Sequence, residues 1–446
     1  MILSKRPTIL SAVGVISMIG VSMCLGNGEV RHVQLWMVNQ APAGSVAPPW
    51  TLQWERSPIW FERSNPAGLS ESPSRRVAVT DTHALTVARR TLYFLNKTTG
   101  RTEDSLELLG DEIFDWAIVG GYFVYASWDW DTRAPIHGAV ELAQRKTAWS
   151  GREAGRVDLP EWLVPINGEA VIFGSDRDGP TRRQFMAVDV RSGKRRWAVQ
   201  TPFALGTIIP DSWFVYDGRL WGLVSPRERE LQLAQFDIGD GRQLSSLDVV
   251  GTEYVGNIFQ PRVVSHDGTL YIGLKKIVRP GKRAVVAFTI RDGRPLWSAP
   301  IALPPRTESS GPFTLKRVAI GPGTEPVVVT MDPNRIIAID RDTGAIRKEV
   351  ALPGYVGWTE PNALLYSYPY VFTSARRATG SGMAYDLVAI NIESMQVAWS
   401  YEISRQPEVF GTARAEILNF ALSGEVIFVA RADSRIMAFR PSPLSR

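Results

Sequence analysis

Short apolar runs that end at a turn residue recur along the chain with spacings of 45 to 52 positions. The runs are rich in β-branched and aromatic residues and are bounded by Gly, Asn or Asp, a pattern typical of β-strands. A period of this length fits four short strands with their turns, whereas it matches no helical solenoid. The final residues of the runs, used below as anchors, are Asn96, Glu141, Asp189, Asp237, Thr289, Asp340, Asn391 and Arg440.

Two further positions repeat relative to the anchors. Four residues after the anchor, five copies have glycine, which adopts the positive φ that a short hairpin loop needs. Eight residues after the anchor, four copies have tryptophan, whose large ring can fill the wedge between neighbouring sheets. The glycines are Gly100, Gly193, Gly241, Gly293 and Gly344, and the tryptophans are Trp149, Trp197, Trp297 and Trp399.

The repeat predicts an all-β fold, an eight-bladed β-propeller of four-stranded antiparallel blades, over residues 50–446. The last copy ends at Arg440 and has no room for an outer strand. Residues 50–56 resemble the stretch around Trp399, so they are predicted to supply that strand and to close the ring without an open edge.

The N-terminus carries a targeting signal. Lys5 and Arg6 precede an uncharged apolar stretch, the layout of a signal sequence or membrane anchor over residues 1–26. Cleavage, retention as an anchor and lipidation at Cys24 all remain open, and residues 27–49 form a tether. The sequence therefore predicts an extracytoplasmic protein of the periplasm or cell envelope, either membrane-tethered or secreted.

Composition excludes several kinds of chemistry. With Cys24 as the single cysteine and four histidines in the chain, no Cys-x-x-Cys metal or haem site and no intramolecular disulfide is possible. No nucleophile motif in a strand-turn-helix context is present. The net charge of +5 comes without dense basic tracts, so no nucleic-acid partner is predicted.

The loops between second and third strands should lie on one face of the disk, and they are rich in charge. The basic residues indicate a docking surface for an acidic protein partner, including a membrane complex of the envelope, or for anionic lipid headgroups. The alternative is a set of solvated hairpin tips. The predicted partner-binding residues are Arg182, Arg183, Lys275, Lys276, Arg279, Lys282, Arg283, Arg376 and Arg377.

One of these loops carries a possible ligand site. Trp128, Asp129, Trp130 and Asp131 alternate indole rings with carboxylates, which suits a divalent cation or the face of a sugar. The alternative is an ordinary polar loop, because no complete calcium-binding motif is present. No cofactor, metal site or catalytic residue is predicted.

The stretch from Ala187 to Trp197, together with Ala338 to Gly344, resembles the tryptophan-docking repeat of the pyrroloquinoline-quinone-like β-propeller superfamily. That superfamily includes quinoprotein dehydrogenases and non-catalytic scaffolds such as the barrel-assembly lipoprotein. The resemblance implies the scaffold branch, since the enzymes' adjacent-cysteine disulfide cannot form here. We therefore expect a non-catalytic scaffold or accessory subunit; the alternative is a quinone-, metal- or carbohydrate-binding propeller that uses its central funnel.

Overall fold

The computed structural model describes β-strands and their turns. The residues described are 50–56, 76–88, 90–129, 131–132, 134–152, 160–166, 168–175, 183–201, 207–208, 213–225, 232–248, 262–266, 268–273, 285–290, 294–299, 315–320, 325–331, 334–358, 364–380, 382–406, 417–431 and 435–441. Within these ranges no helix is long and apolar enough to cross a membrane. The predicted signal, tether and Cys24 lie outside the described residues.

The strands form antiparallel sheets of consecutive segments, numbered here in chain order. Sheet 1 contains β2 (Val77–Val79), β3 (His83–Ala88), β4 (Thr91–Asn96) and β5 (Thr102–Glu107). Sheet 2 contains β6 (Glu112–Val119), β7 (Tyr122–Asp129), β8 (Ala134–Glu141) and β9 (Lys146–Arg152). Sheet 3 contains β10 (Pro160–Ile166), β11 (Ala170–Ser175), β12 (Arg183–Asp189) and β13 (Arg195–Thr201). Sheet 4 contains β14 (Thr207–Ile208), β15 (Phe214–Tyr216), β16 (Arg219–Ser225), β17 (Gln232–Asp237) and β18 (Gln243–Asp248).

The remaining sheets continue this order. Sheet 5 contains β19 (Arg262–His266), β20 (Thr269–Gly273), β21 (Val285–Thr289) and β22 (Pro295–Ala299). Sheet 6 contains β23 (Leu315–Ile320), β24 (Val327–Met331), β25 (Arg335–Ile339) and β26 (Ile346–Ala351). Sheet 7 contains β27 (Tyr355–Trp358), β28 (Leu364–Ser367), β29 (Tyr370–Thr379), β30 (Gly382–Asn391) and β31 (Gln396–Gln406). Sheet 8 contains β32 (Ile417–Ser423), β33 (Val426–Arg431), β34 (Ile436–Pro441) and β1 (Trp50–Arg56).

The prediction of eight four-stranded blades is wrong. Among the described residues six sheets are four-stranded, whereas sheets 4 and 7 contain five strands each. In both, two short strands replace one first strand: β14 and β15 both pair with β16, and β27 and β28 both pair with β29. The intervening sequences contain Pro210 and Pro361. Proline lacks the N–H that a continuous ladder requires, which favours such an interruption.

The first strand of the chain joins the last sheet. β1 pairs antiparallel with β34, with Trp50 opposite Pro441 and Arg56 opposite Ile436. Residues 50–56 therefore form the outer strand of sheet 8. Trp50 is buried and makes an edge-to-face contact with Trp399 of sheet 7, with 5.4 Å between ring centroids.

Each sheet buries its faces against its neighbours. Phe94 of sheet 1 packs in one cluster with Trp116 of sheet 2, and Phe185 of sheet 3 packs with Trp213 of sheet 4. The apolar side chains of the inner strands are therefore removed from water in the space between neighbouring sheets. This burial is the main source of stability in such a fold. In contrast, an outer strand such as β18 alternates exposed and half-buried residues.

Tryptophans fasten neighbouring sheets at their outer strands. The indole Nε1 atoms of Trp54, Trp149, Trp197 and Trp297 donate hydrogen bonds to backbone carbonyls in the following sheet, at 2.6 to 3.0 Å. Each ring lies on the glycine four residues after an anchor, where a Cβ would come within 2.5 to 2.6 Å of the ring. The glycine is therefore needed for close approach as well as for positive φ.

Two turns show that positive φ can occur without the close approach of a tryptophan ring. The residues at the glycine position of sheets 2 and 7 are Arg145 and Met395, with φ of 53° and 57°. In the preceding sheets the tryptophan position holds Asp104 and Lys348. Where no indole ring arrives, a side chain is thus tolerated although φ remains positive. Arg145 instead pairs with Asp104, with 3.5 Å between Nη1 and Oδ2.

Candidate functional site

The strand order defines two faces of the disk. The turns between first and second strands and between third and fourth strands lie on one face, called here the turn face. The connections between second and third strands and between sheets lie on the other, called the loop face. Among the predicted partner-binding residues, Arg183, Arg376 and Arg377 lie in described strands that border second-to-third connections, and therefore towards the loop face.

Three of the predicted basic residues lie in described strands. Arg183 begins β12, and Arg376 and Arg377 lie in β29. The others lie outside the described residues: Arg182, Lys275, Lys276, Arg279, Lys282 and Arg283. By sequence, the residues from Lys275 to Arg283 connect β20 to β21.

Arg377 forms ion pairs with two carboxylates of its own sheet. Its Nε donates to Asp386 Oδ2 at 2.8 Å, and its Nη2 donates to Glu402 Oε2 at 3.1 Å. The hydrogen bond to Asp386 is the main cause that raises the pKa of Arg377. This cross-strand network balances the charge of Arg377 and braces the longest strands of the fold, so Arg377 adds little net positive charge to the loop face.

The Trp-Asp loop is organised by one carboxylate. Asp129 is buried, and its Oδ1 accepts hydrogen bonds from the backbone N–H groups of Asp131 and Thr132, both at 3.0 Å. Asp131 is exposed and Trp128 is buried, while Trp130 lies outside the described residues. Asp129 is therefore a turn cap, an interaction typical of this residue type. In the part of the chain that the structure describes, no three acidic, His or Cys side chains cluster closely enough to hold a metal ion.

A buried ion pair near the first strands was not predicted. Arg76 and Asp115 are each only 1% exposed, and the Arg76 Nη2 donates to Asp115 Oδ1. Asp115 Oδ2 also accepts from the backbone N–H of Leu163 in sheet 3 at 2.9 Å. The Arg76 guanidinium lies 4.8 Å from the ring centroid of Trp116. This arrangement ties sheets 1, 2 and 3 together through one carboxylate.

An amide makes the corresponding connection between sheets 8 and 1. Asn419 Oδ1 accepts from the Val77 N–H and Asn419 Nδ2 donates to the Val77 carbonyl, both at 3.0 Å. Asp115 and Asn419 both follow a register shift in a first strand. Each is the only polar residue in the interior of an apolar strand, and that sequence signal could have identified them. Burial lowers the pKa of Arg76, and the charge of Asp115 opposes that shift.

Comparisons with known proteins agree with this fold. Residues 138–322 match the family model described as outer membrane protein assembly factor BamB. No curated protein sequence matches the chain. BamB from Moraxella catarrhalis is 12% identical, with a TM-score of 0.52 over 88% of this chain and 100% of that chain.

Two further solved structures share the fold. The computationally designed Ika8 protein is 13% identical, with a TM-score of 0.55 over 82% of this chain and 95% of that chain. Sqt1 of Saccharomyces cerevisiae is 12% identical, with a TM-score of 0.52 over 80% and 93% of the two chains.

The chain is thus a β-propeller with pyrroloquinoline-quinone-like repeats. The family model matches residues 138–322, and the predicted resemblance to the scaffold branch of that superfamily rather than to quinoprotein dehydrogenases is confirmed.

Proposed function

We propose that the protein is an extracytoplasmic, non-catalytic scaffold or accessory subunit of a membrane-associated complex, which binds a protein partner through its loop face. The match to an outer membrane protein assembly factor supports a role in assembly at a membrane. A propeller suits this role because its packed sheets hold the loops in fixed positions.

One observation carries the choice of surface. The basic segment from Lys275 to Arg283 lies within residues 138–322, the stretch that matches BamB. On the turn face, by contrast, the repeated turns are occupied by internal contacts: tryptophans dock there, and anchors such as Asp189 cap the turn. The segment from Lys275 to Arg283 is therefore the surface that we propose for an acidic partner.

The proposal includes the arrangement at the N-terminus. Residues 1–26 direct the chain out of the cytoplasm as a signal or anchor, with lipidation at Cys24 as one form of attachment. Residues 27–49 then tether the propeller, residues 50–446, close to the membrane. Each part follows from the apolar and proline-containing patterns in the sequence.

Charge reversal tests the proposal. The full chain is expressed in its native host, and co-purifying proteins are quantified for the wild type and for a variant with Lys275, Lys276, Lys282 and Arg283 changed to Glu. Removing four cations and adding four anions should abolish capture of an acidic partner.

The control reverses four exposed cations of the turn face, which are Arg101, Lys146, Arg191 and Lys194. This variant has the same net charge change and should retain the partner. Equal loss in both variants, or retention in both, would place the interface elsewhere. Sedimentation with anionic and with neutral vesicles separates a lipid surface from a protein partner.

A further inference from the structure

The chain enters the propeller on the turn face. Trp50, the first residue of β1, pairs with Pro441 at the end of β34, whereas Arg56 pairs with Ile436 at its start. Because β34 is the third strand of sheet 8, its end lies at the turn face, and so does Trp50. The proposed tether, residues 27–49, therefore joins the propeller on the turn face, a statement that rests on the proposed function.

Contacts join the turns of sheets 8, 1, 2 and 3 into one surface. Trp54 of sheet 8 donates to a backbone carbonyl in the turn of sheet 1 at 3.0 Å, and Trp149 of sheet 2 donates to one in the turn of sheet 3 at 2.7 Å. Between sheets 1 and 2, Arg145 of the turn pairs with Asp104. Charged residues of these turns are therefore neighbours in space.

The turns of sheets 1 to 3 expose more cations than anions. Among the described residues of these turns and of the strand positions within two residues of them, six cations and three acids are exposed. One acid, Glu103, is hydrogen-bonded to His83 at 2.8 Å, and one cation, Arg196, pairs with Asp189 at 3.0 Å. The cations are Arg101, Lys146, Arg191, Lys194, Arg195 and Arg196, and the acids are Asp81, Glu103 and Glu169.

The turns of sheet 4 show that this excess is not a general property of the repeat. There Arg219 and Arg242 are exposed together with Asp217 and Asp240, so the charges balance. In sheets 1 to 3 the unbalanced cations lie on the face where the proposed tether arrives. An anionic bilayer suits such a surface, because each Lys or Arg close to it increases partitioning about fivefold.

We propose that the turn face of sheets 1 to 3 docks on the headgroups of an anionic bilayer, with Arg101, Lys146, Arg191 and Lys194 contacting lipid phosphates. The tether holds the propeller near the bilayer, and the cations determine which face is turned towards it. The loop face is then directed away from the membrane and is open to the partner of the proposed function.

Lysine acetylation followed by mass spectrometry tests the proposal on the full chain, in the form that its host produces. The chain is bound to vesicles of phosphatidylcholine alone or of phosphatidylcholine mixed with phosphatidylglycerol. Acetylation of Lys146 and Lys194 should be at least about fivefold slower on the anionic vesicles. Lys348, exposed on the outer strand of sheet 6, should react equally on both. High salt should remove the difference, because it screens the attraction.

A double variant, Arg101→Glu with Arg191→Glu, leaves both lysine probes in place and should abolish their protection. The matched control, Arg90→Glu with Arg435→Glu, makes the same charge change at two exposed arginines of the loop face and should keep it. Equal acetylation of the wild type on both kinds of vesicle, equal loss in the two variants, or slower acetylation of loop-face lysines instead would overturn the proposal.

Two measurements separate this proposal from the proposed function. Recovery of the chain with neutral vesicles reports the tether alone, whereas the protection of Lys146 and Lys194 reports the turn face. The variant with reversed charges at Lys275, Lys276, Lys282 and Arg283 should lose the protein partner and retain the protection on anionic vesicles. Each proposal can therefore fail while the other holds.

Discussion

Replacing Gly241 by alanine tests the fit between tryptophan and glycine. A Cβ at this position would lie 2.5 Å from Cε3 of Trp197, and φ is +74°. The left-handed backbone costs an alanine about 1–2 kcal/mol. Displacing the indole loses the hydrogen bond from Nε1 to the Ile238 carbonyl, worth about 1 kcal/mol.

Lost packing around the ring adds about 1 kcal/mol. We therefore expect Gly241→Ala to lower the free energy of unfolding by about 3–4 kcal/mol. The control is Gly218→Ala in the same sheet, where φ is +66° and no atom lies within 4 Å of the added Cβ. That variant should lose only the backbone contribution, about 1–2 kcal/mol.

Denaturant unfolding of both variants, each also made in a Trp197→Ala background, completes a double-mutant cycle. In that background the cost of Gly241→Ala should fall to that of Gly218→Ala, because the clashing ring is gone. Equal costs for the two glycines in the wild-type background, or no change in the Trp197→Ala background, would refute the reasoning.

Three further predictions concern charged groups. Asp115→Asn should cost about 3–5 kcal/mol in chemical unfolding, because it leaves the buried Arg76 without its counter-charge, and a cost no larger than that of a surface Asp→Asn change would contradict the role of the pair. Burial lowers the pKa of His137 to about 4, below its value in the unfolded chain, so stability should be full above about pH 6.5 and fall towards pH 4 by roughly 3 kcal/mol; His137→Gln should flatten this part of the pH profile, and an unaltered slope would exclude His137 as its origin. The hydrogen bond from Arg196 holds the pKa of Asp189 at about 2, so Arg196→Leu should raise that pKa in an NMR titration, while an unmoved value would mean that the turn N–H groups alone set it.

The periodic part of the fold was predictable because its causes are local. The hairpin turn has positive φ four residues after the anchor, and glycine at that position indicates the turn in the sequence. Residues 50–56 could be assigned to the last sheet because their tryptophan pattern matches that of another outer strand. The anchors lie at the ends of third strands, so the repeat carries no information about the first strands. The division of the first strands in sheets 4 and 7 was therefore not predicted.

The polar connections between first strands depend on distant partners. Asp115 meets Arg76 across 39 positions, and Asn419 meets Val77 across 342 positions. A period read along the chain cannot show which residue of one repeat faces which residue of the next.

The pairing of β1 with β34 imposes an order on folding. A nascent chain makes the outer strand of sheet 8 long before its partner exists, so residues 50–56 must wait unpaired until almost the whole polypeptide has emerged. Long sequence separation of this kind slows folding, because the entropy of a large loop is lost before any contact forms. A circular permutant that links Pro441 to Trp50 through a short turn would make this pairing local and should speed the final step of folding.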